Sequence, residues 1–171
     1  MFAQRLFVLL AEYNAHVNQA LFAHLGSLPP ELLAKPAGSY FDTVLGLLNH
    51  LLVTDLGWLN AYRLDTPALD FAHPGWKKPL YDNLADLGRR REAVDAVMGA
   101  FAAELTDEVL SGSIVMPDWR GEKHRFVVGE VLLHLFNHQT HHRGAIAQVL
   151  DGFGARADIS NLLALLLTQA R

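Results

Sequence analysis

Between His134 and Gly144 the chain reads HLFNHQTHHRG, which puts four of its nine histidines within nine positions. The flanks, VVGEVLL before and AIAQVL after, have the apolar spacing of a buried helix. Each helical residue advances about 100° around the axis, so residues four apart share a face. His134, His138 and His142 therefore form one ridge, with His141 beside it. Two imidazoles at i and i+4 can close around one cation at the roughly 2.0–2.1 Å that zinc requires. His138 with His142 is one such pair and His134 with His138 another; either needs a third ligand from elsewhere.

One candidate is His50, in YFDTVLGLLNHLLVTDLGWL, where polar residues are few. Its neighbours on the same helical face, Gly46, Thr54 and Gly57, are all small and would leave space beside the ring. Three neutral histidines leave a divalent ion with an open position for water or substrate. A lone histidine on an apolar face is more often a satisfied core residue, and His16, His24, His73 and His124 read as surface or loop residues. Several chemistries are excluded. Gln139 follows His138, so the H-E-x-x-H zinc-protease pattern is absent, and no E-x-x-H occurs to build a di-iron carboxylate site. The chain has no cysteine and no G-x-S-x-G, which removes thiolate ligands, disulfides and the usual protein nucleophiles. A haem held between His50 and His138 would leave His142 without a role.

The elements that must position these residues are helical. Leu6, Leu9, Leu10, Tyr13, Val17, Ala20, Leu21 and Leu25 recur at three- and four-residue steps and predict a first helix over 2–26, stopped by Gly26 and Pro29-Pro30. A second is expected over 39–64 with Ser39 as its N-cap, followed by a loop containing Pro67, Pro74 and Pro79. A third runs from Tyr81 to about Leu105. SGSIVMPDWRGEKHRFVV then predicts a short hairpin or extended excursion, a fourth helix is expected over 126–151, and a short last helix over Ile159 to Gln169. With 171 residues, 51% of them hydrophobic and 19% charged, the chain is expected to form one globular domain over 1–171. The reading is an all-α four-helix bundle with crossover connections, which the long links after the second and third helices permit. A net charge of −4, with basic residues scattered apart from Arg89 to Arg91, argues against a nucleic-acid partner. The apolar run Leu6 to Ala11 is too short for a signal peptide or membrane span, so no membrane partner and a cytoplasmic location are expected.

The segments NHLLVTDLGW at Asn49 to Trp58 and HLFNHQTHHRG at His134 to Gly144, with the W-R-G excursion between them, resemble the DinB family of damage-inducible proteins over nearly the whole chain. The resemblance implies a crossover bundle holding a divalent metal, often nickel or zinc, through one histidine of the second helix and a late H-x-x-x-H pair. These positions fall on His50, His138 and His142, while His134 and His141 match motif histidines that are not usually ligands. The family motif commonly continues H-H-R-G-Q, whereas Ala145 follows Gly144 here and the next glutamine is Gln148. Related bundles transfer low-molecular-weight thiols, and family members are often homodimers. The resemblance thus implies a metal-dependent thiol S-transferase with a small-molecule partner. A metal-dependent hydrolase and a non-catalytic, stress-related metal-binding protein are the alternatives. Gly46, Thr54, Trp58, His134 and Arg143 are the expected pocket residues; Arg143, just past the ligand ridge, reads equally as a surface ion-pair partner.

Overall fold

A computed structural model describes residues 2–38, 40–62, 70, 75, 78–118, 120–156 and 160–170. The order is α1 (Phe2–Gly26), α2 (Pro30–Ala34), α3 (Val44–Ala61), α4 (Leu84–Glu104), α5 (Asp107–Ser111), β1 (Ser113–Pro117), β2 (Lys123–Val127), α6 (Val128–Gly152) and α7 (Leu162–Gln169). The four long helices lie where the apolar periodicity predicts them, and side-chain caps set the N-terminal ends of α3 and α4. α3 begins at Val44 rather than residue 39 because Thr43 accepts a hydrogen bond from the Gly46 amide at 2.9 Å. Ahead of it Asp42 holds a left-handed backbone, φ 64°, which no helix can continue through. Ser39, the expected cap, lies outside the described residues, as do Ile159 and residues 63–69. α4 starts at Leu84, three residues after Tyr81, because Asn83 caps the Asp86 amide at 2.9 Å. α2 and α5 were not expected; at five residues each they are too short to carry a periodicity.

The expected hairpin is present. β1 and β2 pair antiparallel from Ser113 with Val127 to Pro117 with Lys123. Asp118 closes the turn by accepting from the amides of Arg120 at 2.8 Å and Glu122 at 3.0 Å, and Gly121 takes the positive φ of 85°. Phe126 and Val127 belong to β2, so α6 starts at Val128 instead of residue 126.

The helices form an up-down-down-up bundle. α1 runs antiparallel to α4, with Phe22 against Gly88, Asn14 bonded to Asp95 and Gln4 to Ala103. α3 runs antiparallel to α6: His50 meets His138, Trp58 meets His134, and the Tyr62 hydroxyl reaches the Val128 carbonyl. α3 and α4 are parallel, since Asp55 bonds Arg91 and Tyr62 packs on Phe101. α1 and α6 are parallel too, Phe7 facing Phe136 and Asn14 facing Arg143. α1 and α3 thus occupy opposite corners, and two successive parallel helices require the long link between α3 and α4. The centre is filled by Leu25, Leu52, Leu56, Leu59, Leu87, Leu132, Leu135 and Ile146, all essentially inaccessible. No helix among the described residues is long and apolar enough to cross a membrane.

Candidate metal centre

The seam between α3 and α6 brings His50, His138 and His142 together. Each of the three offers a ring nitrogen, and these atoms lie within 4.8 Å of one another. The Nε2 atoms of His50 and His138 are 3.1 Å apart, across 88 residues of chain. Two nitrogens on a tetrahedral zinc are separated by about 3.3 Å, given bonds of roughly 2.0–2.1 Å, so this spacing already approximates a shared coordination sphere. His142 completes the group from one turn further along α6, its ring centroid 4.6 Å from that of His50 and 4.4 Å from that of His138. Phe41, two residues before the Thr43 cap, stacks on His50 at 3.9 Å and meets His142 edge-on at 5.7 Å.

The electrostatics favour neutral rings. Burial, followed by the neighbouring histidines 142, 50, 134 and 141, lowers the His138 pKa to about 3. Burial and then His141 lower that of His142 to about 4. An unprotonated imidazole keeps the lone pair a cation needs, so the donor set fits a divalent ion that accepts nitrogen. The Nδ1 atoms of His138 and His142 are buried without hydrogen-bond partners among the described residues, so none of these selects their tautomer. Among the described residues no carboxylate joins the three imidazoles, which leaves coordination positions for small molecules.

The surrounding residues hold His50 in place. Gly46, expected to leave room, is instead filled by backbone: a Cβ there would lie 2.2 Å from the Phe41 carbonyl oxygen. Asn49 is fully buried and fully used. Its amide donates to the carbonyls of Leu45 and Tyr81, and its oxygen accepts from the amides of Leu80 and Tyr81, which clamps that segment against α3. Beside the clamp a cavity of about 340 Å³ opens onto His50, with Asp42, Lys78 and Asp82 in its walls. Trp58 packs on His134, centroids 5.4 Å apart; His134 is exposed and stands at the outer end of the ridge. Thr54, one turn along α3 from His50, is buried.

Arg143 is neither a pocket residue nor a surface residue. It is 3% exposed and points to the bundle interior from a ridge beside the histidines, where it donates to Asn14 and to the Gln139 amide oxygen and lies 5.5 Å from the Tyr13 ring. There it joins a buried polar network unseen in the sequence. Gln139 donates to Asp55, Arg91 bonds Asp55 at 2.5 Å and Asp95 at 2.8 Å, and Asn14 and Asn18 donate to Asp95. Two carboxylates and two guanidiniums balance in charge and tie all four long helices together. Burial pushes the Asp55 carboxyl up to about 6, an effect that Arg91 offsets only in part. The signal was present as paired polar residues at helical spacing, Asn14 with Asn18 and Arg91 with Asp95, inside apolar stretches. A cavity of about 620 Å³ between α1 and α4 reaches Arg91 and Asp95 and is lined by none of the three histidines.

No solved structure matches the chain. Protein DinB of Bacillus subtilis (strain 168) is 28% identical over 158 residues, spanning 85% of this chain and 84% of the relative. The DinB family model matches residues 1–169. With motif, fold and sequence in accord over almost its full length, the chain belongs to the DinB family.

Proposed function

We propose that His50, His138 and His142 hold a divalent metal ion, nickel or zinc, and that the protein is a metal-dependent thiol S-transferase. The observation that carries this reading is the convergence of three imidazoles with no fourth protein donor among the described residues. An ion bound there would lower the pKa of a thiol in its open position. The chain itself has no cysteine, so the sulfur must come from a low-molecular-weight thiol. That thiol gives up its proton to solvent, its sulfur forms the new S–C bond with an electrophile, and the leaving group departs with the electron pair. The protein's part is positional: His138 and His142 stay unprotonated at neutral pH, Phe41 stacks on the His50 ring, and Asn49 fixes the neighbouring wall.

Hydrolysis is the second reading, because the same open position would serve a water, and thiol dependence separates the two. Titration of the purified protein with Zn²⁺ or Ni²⁺ tests the ligand set. One equivalent is expected to bind to the wild type, with affinity lost by about 10-fold or more in His138→Ala. Unchanged stoichiometry and affinity in that variant would dispose of the site.

A further inference from the structure

A helical threonine normally satisfies its hydroxyl by bonding back to the carbonyl one turn earlier. Thr140 does so with Phe136 at 3.2 Å, and Thr168 bonds Leu165 at 2.7 Å. Thr43 and Thr106 use their oxygens as helix caps. Thr54 does neither. It is 5% exposed, and its Oγ1 is buried with no hydrogen-bond partner among the described residues. Leaving a buried hydroxyl unpaired is costly, so this one calls for a partner outside them.

Its position supplies that partner. Along α3, His50, Thr54 and Trp58 follow at four-residue steps, so they form one ridge. His50 contacts His138 on α6, and Trp58 contacts His134. Thr54 therefore lies on the seam between these two contacts, one turn below the imidazole group. We infer that Thr54 Oγ1 is a ligand-binding hydroxyl, donating a hydrogen bond to the sulfur of the thiol held beside His50 and His138. This rests on the function proposed above and adds a specific contact to it. A hydroxyl is suited to the task, since it stabilises a developing anion without competing as a metal ligand as a carboxylate would.

The experiment uses Co²⁺ as a coloured probe ion and 2-mercaptoethanol as the thiol, followed through the sulfur-to-cobalt absorption band. Thr54→Val removes the hydroxyl at near-constant shape; Thr54→Ser retains it. Thr54→Val is expected to take up Co²⁺ with wild-type stoichiometry and affinity, and its metal-free form to melt no lower than wild type, because the hydroxyl has no bond to a described residue to lose. Thiol binding is expected to weaken roughly tenfold, the size of one charge-assisted hydrogen bond, and Thr54→Ser to recover most of it. Wild-type thiol affinity in Thr54→Val would overturn the assignment while leaving the metal site standing. A lowered melting temperature with Co²⁺ and thiol binding weakened together would overturn it in favour of a packing role. Failure of the wild type to bind Co²⁺ would overturn the metal reading and this contact with it.

Discussion

Replacing Arg91 by methionine removes the cation at the centre of the buried network and leaves its carboxylates in place. Arg91 is 4% exposed and lies 2.5 Å from Asp55 and 2.8 Å from Asp95, which are 0% and 8% exposed. Even with Arg91 present, burial raises the Asp55 pKa from 3.8 to about 6, a shift equivalent to about 3 kcal/mol against the ionised form. Without Arg91 the two acids face each other with only Arg143 to balance them. Breaking a buried pair in this way typically costs about 3–5 kcal/mol, and that is the loss expected in urea denaturation at pH 7.5. The same reasoning fixes the pH dependence. In Arg91→Met the Asp55 pKa must rise further, so at pH 5 the acid is protonated, needs no counter-charge, and the difference from wild type shrinks. The double variant Asp55→Leu with Arg91→Met should lose less than the single one, since the buried charges leave as a pair. A single-variant loss below about 1 kcal/mol, equal at both pH values, would refute the claim that these charges are desolvated and interdependent.

Gly46→Ala would drive a Cβ to 2.2 Å from the Phe41 carbonyl, so the 41–43 turn must move and Phe41 must leave the face of His50. A thermal melt should register a loss of about 1–3 kcal/mol, and Zn²⁺ titration a weaker site; wild-type values for both would exclude the contact. The metal-free protein should also be acid-sensitive. His138 and His142 have folded pKa values of about 3 and about 4, below the ordinary 6.5, so the stability tied to their neutral rings is present above pH 6.5 and lost as pH falls from there towards 4. Asp55 opposes this in part, because its raised value of about 6 means stability declines as pH rises from about 4 to 6. Urea midpoints measured from pH 7.5 down to 4 should fall for the wild type and flatten in His138→Asn; an equally steep fall in that variant would assign the sensitivity to other groups.

What the sequence disclosed and what it hid differ in the range of the forces involved. Spacing alone offered His138 with His142 and equally His134 with His138, because four residues on a helix is a local distance, and the family resemblance chose the first pair. His50 could be nominated from its small neighbours and from the family resemblance, but its approach to His138 depends on which helices adjoin, and α1 and α3 lie diagonally apart although they follow one another in the chain. Gly46 was noticed for the wrong reason: its missing side chain admits the Phe41 backbone, not a ligand. Phe41 itself gave no periodic signal, since its place over His50 follows from the left-handed turn at Asp42 and the cap at Thr43. Arg143, read as a pocket residue or a surface ion-pair partner, is buried instead against Asn14, because α1 packs where spacing along α6 alone shows no neighbour.

α6 in fact buries two adjacent polar ridges. His138 and His142 form one, and Gln139 and Arg143, each a single residue later, form the other. A one-residue step turns the helix by about 100°, so while one ridge faces the half-exposed seam with α3, the other faces the closed interior. The interior ridge has no alternative rotation. Gln139 is bonded to Asp55 and Arg143 to Asn14, and turning α6 would take one donor from the buried Asp55 carboxylate and part the buried Arg143 guanidinium from its acceptor on α1. Fixing that rotation fixes the direction of the histidines too. The charge network therefore contributes to a metal site it never touches, by denying α6 the rotational freedom that would carry His138 and His142 off His50.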